Sequence, residues 1–540
     1  MTRRSPGRCV PPSGDAPSNP VATMSDAGAT TGRTVLHGGF WFSASRLVPQ
    51  LYSLVISVAA ARFLGPDGMG RQSFIAFAQI SLVVLLGNGF FLALMQSVGE
   101  ALGRNRPDAL RSLLRWGLRI QLVSATLGAA ILVVSGALGA DPRSAWLLAA
   151  VVCLVAILHT VPSAVIIGMQ LWKQAAVVGL VTGVVGTTST IGVLWAGGGI
   201  TGMFAVEAAV SGVNLFWTGV IARRALAVAA GRPLHGTAAD ASDLQLQAAR
   251  FAKFTTLSEA LNYVVDRRSE VFFLAAFSTS TQIALYSIVF SMMTALIQIP
   301  VAMATAITPA IATLFGAGAV ERIRSGYARA LRLLLLTSLP LTAVGLAVGP
   351  ALLRAVYGAE YRGTRPVLLI SMAAFPLVPL TGVASALLAG IGRGKVLLQA
   401  SGAAAALDIA LATIFVPRHG AVGAAIANVG GQVVAATLLL WFARRLTGRI
   451  RLEPQALLRA AGASAAAGFA GWLPVKFLGG GLGVVVGISA AAAIFAVSAA
   501  ALRILPADDA AWLEDAIGRS LGGQVGRFCR LCARPAAVRS

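Results

Sequence analysis

Residues 143–173 read RSAWLLAAVVCLVAILHTVPSAVIIGMQLWK, and no charged side chain interrupts the run between Arg143 and Lys173. A helix rises about 1.5 Å per residue, so about 20 apolar residues cross a hydrocarbon layer about 30 Å thick. The stretch therefore reads as a membrane-spanning helix over 144–168, with the next span opening at Lys173. Runs of the same kind recur along the sequence, at about 38–61, 72–98, 114–138, 200–222, 252–277, 328–352, 395–416 and 480–502 among others, and the whole set reads as fourteen spans. With 57% of residues hydrophobic, 12% charged and a mean hydropathy of +0.79, the chain has too little polar surface for a soluble protein of 540 residues.

GMQLWK (168–173), which opens the next span, has a counterpart six spans later in GIGRGK at 390–395. Further on, GITGMFAVEAAVSG (199–212) parallels GAVGAAIANVGG (420–431), and Arg223-Arg224 parallels Arg444-Arg445. Earlier, RFLGPDGMGRQSF (62–74) aligns loosely with AFSTSTQIALYSI (276–288). Copies separated by an even number of spans share one membrane orientation, which defines a parallel repeat. The expected fold is all-α and polytopic: two six-helix lobes in parallel pseudo-repeat, followed by two C-terminal helices. In residue terms this gives a disordered tail at 1–33, an N-lobe at 34–224, a linker at 225–250, a C-lobe at 251–445, a helix pair at 446–503 and a basic tail at 504–540.

A net charge of +23 would suggest nucleic acid in a soluble protein. Here the basic residues gather in alternate loops: roughly twenty Lys/Arg fall on one face of the membrane and about seven on the other. The rich set includes Arg104, Arg111, Arg223, Arg322, Arg329 and Arg444, which predicts both termini in the cytoplasm and no nucleic-acid partner. Residues 1–33 lack the apolar core of a signal peptide. The cysteines are Cys9, Cys153, Cys529 and Cys532, and the CxxC of the last two has no second pair to complete a zinc site. The loops on the poorly charged face are short, which leaves no room for the external domain of a membrane glycosyltransferase or polymerase. No metal cluster, nucleophile–base pair, Walker loop or dinucleotide fingerprint is visible, so the expectation is a protein that is not an enzyme and carries no cofactor.

Several segments together resemble the polysaccharide and oligosaccharide flippases of the MOP superfamily, the Wzx type, which are related to the lipid II flippases. They are ARFLGPDGMGRQSF (61–74), VVDRRSEVFFLAAFSTSTQIALYS (264–287), VYGAEYRGTRPVLLI (356–370), LLAGIGRGKVLLQ (387–399) and VPRHGAVGAAIAN (416–428), with Pro300 and Pro309 between them. Their order and spacing over about four hundred residues carry the resemblance, not any one motif. It implies translocation of a polyprenyl-diphosphate-linked oligosaccharide, such as an O-antigen, capsule or exopolysaccharide unit, across the bacterial plasma (inner) membrane by alternating access. It also implies membrane lipids as partners, with a glycan polymerase and glycosyltransferases as further ones. The alternative is a MATE-type ion-coupled multidrug or metabolite antiporter.

An ionisable side chain at mid-bilayer costs about 2.5–3.5 kcal/mol on insertion scales, so each one asks for a partner, a wet cavity or a function. Arg46 lies inside the first span, and the family resemblance implies that an arginine there grips the lipid diphosphate. A guanidinium offers phosphate a planar fork that lysine cannot; snorkelling to the headgroups is the competing reading. Span seven holds Asp266, Arg267, Arg268 and Glu270, whose formal charges sum to zero. Arg267 and Arg268 are candidates for cavity charge, with Asp266 and Glu270 balancing them or coupling an ion. Asp408 and Glu207 are isolated carboxylates that either titrate with a transported ion or pair with an arginine. Asn88, between Gly87 and Gly89, marks a locally open helix. Prolines 49, 162, 300, 309, 340, 376 and 379 sit inside spans, where each removes a helix hydrogen bond and permits a bend.

Overall fold

The computed structural model of the chain describes residues 20–103, 107–230, 238–266, 269–316, 318–448, 454–511 and 530–533. Within them the architecture is helical throughout, apart from one isolated bridge between Leu505 and Ala533. The first half comprises α1 (Pro20–Val83), a π-helical turn (Val84–Asn88), α2 (Gly89–Gly103), α3 (Pro107–Ala137), α4 (Arg143–Gly168), α5 (Trp172–Trp195) and α6 (Gly199–Ala230). The second half runs α7 (Ala238–Asp266), α8 (Glu270–Phe277), α9 (Ser280–Gly316), α10 (Val320–Tyr357), α11 (Thr364–Ala374), α12 (Leu377–Gly390) and α13 (Gly394–Thr447). A final hairpin, α14 (Pro454–Leu478) and α15 (Gly480–Leu502), completes the chain. The described helix α1 starts at Pro20 and α7 at Ala238, inside stretches read from sequence as tail and linker.

Among the described residues nine helices are long and apolar enough to cross a membrane, or ten when the pair α11–α12, bent by 42°, is taken as one span. The stretches Pro49–Ala101 and Gly394–Thr447, 53 and 54 residues long, are each long enough for two passes. Each turns back at a glycine, Gly65 (φ 68°) and Gly420 (φ 52°), in the left-handed region that other L-residues avoid. With α7–α8 and α14 added, the arrangement is consistent with fourteen passes. Pro49, Pro162 and Pro340 sit inside continuous helices, whereas the sharp bend falls at Pro376.

The distribution of buried side chains explains how the two halves meet. One cluster joins the end of the first pass (Ala60, Ala61) and the start of the second (Met69, Phe77) to Leu274, Ile283, Tyr357, Val367, Val416 and Ala421 of the second half. All of these lie at one end of the bundle, because odd-numbered passes finish there and even-numbered ones begin there. At the opposite end the apolar core divides. Phe90, Leu94, Leu113, Val161 and Ala222 form one cluster with Ala248 and Ala252 of α7. Ile311, Ile323, Leu334, Leu387, Ala400 and Leu439 form another, confined to the second half. The core is therefore single at one end and divided in two at the other, where α7 of the second half packs with the first-half cluster.

Candidate functional site

At the shared end each lobe caps a helix terminus of its neighbour. The last carbonyls of a helix have no intrahelical donor and must find another. Arg62, at the end of the first pass, donates from Nε to the carbonyl of Val356 at 2.8 Å and from Nη2 to that of Ala355 at 2.6 Å. Both acceptors lie in the last turn of α10. In return, Tyr361 donates its hydroxyl to the carbonyl of Ala61 at 3.0 Å, and Ser57 meets the hydroxyl of Tyr357 at 3.3 Å. Burial, with Glu360 beside it, holds the Tyr361 phenol above its ordinary pKa, so it remains a donor. The backbones approach so closely that a Cβ added to Gly70 would fall 1.8 Å from the Ser280 carbonyl oxygen. Gly70 and Ser280 belong to the two segments paired as repeat copies in the sequence, which face each other across the lobe boundary.

The break between α7 and α8 carries the second feature. Glu270 opens α8 and Asp408 lies in α13, and both are fully buried. Asn428 donates Nδ2 to Glu270 Oε1 at 2.9 Å, and Ser269 donates its hydroxyl to Asp408 Oδ2 at 3.0 Å. The two carboxyls are direct neighbours, and Glu270 Oε2 and Asp408 Oδ1 are left buried without a hydrogen-bond partner. Among the described residues Asp408 meets Ser269 and Glu270, and neither carboxyl forms an ion pair with a described basic residue. Carboxylates buried side by side repel, so such a pair takes up a proton or brackets a cation before both are charged. Vacant oxygens, a neutral amide and a hydroxyl are a suitable donor set for a small hard cation.

A third feature ties α7 to the first half. Thr255, Glu259 and Tyr263 recur at four-residue spacing and so share one helix face. Thr255 donates to the Gly89 carbonyl at 2.8 Å, Asn88 donates to Glu259 Oε2 at 2.6 Å, and the Tyr263 hydroxyl meets that of Ser81 at 2.6 Å. Asn88 ends the π-helical turn, an element that recurs at functional positions. The sequence reading marked Asn88 as an opening but passed over Glu259, although the polar stripe in an otherwise apolar span was the available signal.

Glu207 stands apart from these groups. The lipid-facing stripe of α6 carries exposed Ala205, Ala209, Val213 and Phe216, while Met203, Phe204 and Thr218 are buried on the other side. At 100° per residue Glu207 falls on the buried side, yet its side chain is exposed, and Gln79 of α1 lies beside it. Four sequence candidates remain: Arg46 and Asp266 lie in α1 and α7 by their backbones, but their side chains fall outside the described residues, as do Arg267 and Arg268 altogether.

Comparison with known proteins places this geometry. A family model described as polysaccharide biosynthesis protein matches residues 35–315, more than half of the 540-residue chain. A second model, MatE, matches residues 255–414. The structure is similar to that of a lipid II flippase, MurJ, in an inward closed conformation: TM-score 0.65 at 13% identity, covering 88% of this chain and 99% of that one. An inward-facing multidrug resistance MATE transporter of the MOP superfamily matches with a TM-score of 0.62 at 16% identity over 74% of this chain and 94% of that one. A MOP superfamily transporter from Pyrococcus furiosus, whose binding pocket is described as having reversed polarity, matches at 0.56 and 18% identity over 76% and 95%. No curated protein matches the sequence.

Proposed function

This chain belongs to the polysaccharide biosynthesis protein family, within the MOP superfamily, and from that premise we propose that it moves a polyprenyl-diphosphate-linked oligosaccharide across a bacterial inner membrane. It is a polytopic membrane protein of transporter type, and its matches indicate no catalytic family. One observation supports the mechanism: a single buried core joins the lobes at one end, whereas at the other the core divides in two, with α7 packed on the first-half cluster. A pair of lobes joined at one end can rock to join at the other, which is what alternating access requires. With the basic loops and both termini in the cytoplasm, the joined end faces outward and the divided end faces the compartment where lipid-linked glycans are assembled.

The roles follow from charge. Arg46, Arg267 and Arg268 supply the cationic lining that a diphosphate headgroup needs. Glu270 and Asp408 bind the coupling proton or cation, their vacant oxygens being the support for that role. Asp266 balances the neighbouring arginines, and Glu207 is a second titrating position. Glycosyltransferases supply the cargo and a polymerase consumes it, and membrane lipids surround the path.

The MatE match over 255–414 favours a second reading, an ion-coupled antiporter of drugs or metabolites. Reconstitution into vesicles separates the two. The flippase reading expects translocation of a fluorescent polyprenyl-diphosphate sugar and no proton- or sodium-driven uptake of an organic cation such as ethidium. The reverse pattern replaces it with the antiporter.

A further inference from the structure

The hairpin α14–α15 packs on the rest of the bundle through α10. On the hairpin side these contacts use glycines: Gly468 lies against Ala343 and Gly471 against Val348. In lipid such surfaces adhere by van der Waals packing alone, because apolar side chains gain nothing by leaving one hydrocarbon medium for another.

The segment after α15 supplies an anchor. Asp509, with no exposed surface, sits between two arginines of α10. Arg329 donates Nε to Oδ1 at 2.9 Å, and Arg332 grips both oxygens, Nε to Oδ2 at 2.9 Å and Nη2 to Oδ1 at 3.0 Å. Around this clamp Ile504, Leu505, Ala510 and Cys532 pack with Leu333 and Leu336 of α10, Ala460 of α14 and Ala499 of α15. Leu505 donates its backbone N–H to the Cys532 carbonyl at 3.0 Å, joining residues 504–505 to 530–533. Arg459 of α14 reaches the Leu502 carbonyl of α15 at 3.4 Å. Cores from three separate helices and a returning segment thus converge on one buried carboxylate.

We infer that residues 504–511 and 530–533 form a strap that pins the α14–α15 hairpin to α10 through the Asp509 clamp, so that the three helices move as one body. The inference is independent of cargo and coupling ion. Its consequence is that the hairpin travels with the second lobe and stays in place only while the clamp is closed.

The test is amide hydrogen exchange on the full chain in phosphatidylethanolamine/phosphatidylglycerol nanodiscs, comparing Asp509→Asn with Asp508→Asn, the exposed neighbour. Breaking a buried ion pair by removing one partner's charge is costly, and partial exposure of the arginines reduces the effect to an increase in exchange on the order of tenfold. That increase is expected in 454–462 and 497–505 for Asp509→Asn alone, with 270–277 and 400–430 unchanged. Arg332→Gln should reproduce it, and the double variant should add little to either single change. The inference is overturned if Asp509→Asn matches Asp508→Asn, if exchange rises equally throughout α1–α13, or if the two substitutions act additively.

Discussion

Replacing Arg62 by alanine removes both hydrogen bonds that the first lobe makes to the last turn of α10, at 2.8 and 2.6 Å. A hydrogen bond from a charged donor contributes roughly 1.5–3 kcal/mol when well shielded. Arg62 is exposed, so water replaces much of what is lost, and about 1.5 kcal/mol is a reasonable sum for the pair. Because about 1.4 kcal/mol is a factor of ten, the population with this end open should rise about tenfold. The control is Arg71→Ala. Arg71 lies at the same end but pairs with Asp67 at 3.0 Å and Asp141 at 2.7 Å, both in its own lobe. The assay is the rate at which a membrane-impermeant maleimide labels Ser57→Cys, a buried position in the seam, in a background without native cysteines. Arg62→Ala should speed labelling by roughly five- to tenfold while Arg71→Ala leaves it unchanged. Equal rates in the two variants would refute the view that the reciprocal caps hold the lobes together.

Other consequences are equally direct. Gly70→Ala places a Cβ 1.8 Å from the Ser280 carbonyl, so the shared end cannot close fully, and the same label should react faster than in Arg62→Ala. Glu270→Gln keeps the acceptor for Asn428 but removes a charge, and should abolish the dependence of transport on an ion gradient while expression and thermal stability hold; a retained gradient dependence would remove the pair from coupling. Arg46→Ala should reduce glycan export far more than Arg444→Ala, whose side chain is exposed at the end of α13, and equal effects at matched expression would deny Arg46 a role in the cavity.

Much of this architecture was legible because a bilayer imposes a length on every span and a charge on every loop. The pairing of 168–173 with 390–395 disclosed the repeat, and with it two lobes of one orientation. The two turning glycines were less visible: Gly65 and Gly420 sit among many glycines, and only the backbone shows which of them adopts a positive φ. Glu270 and Asp408 were picked out singly as costly residues. That they lie side by side depends on where α13 passes the α7–α8 break, a tertiary fact to which sequence separation gives no guide. Arg62 escaped notice for a different reason. A basic residue at the end of a span is ordinarily read as a headgroup contact, and its role as a cap for another helix depends entirely on the neighbouring lobe. Asp509 was hidden similarly, in a short polar segment whose partners lie in α10.

The central claim is that the two lobes exchange which end they close. Distances between spin labels decide it, with one pair at Leu138 and Arg418 beside the shared core and another at Arg224 and Arg444 beside the divided one, all exposed positions. As gradient and cargo are varied in reconstituted protein, the first distance should lengthen as the second shortens. Two distances that stay fixed, or that lengthen and shorten together, would contradict the account.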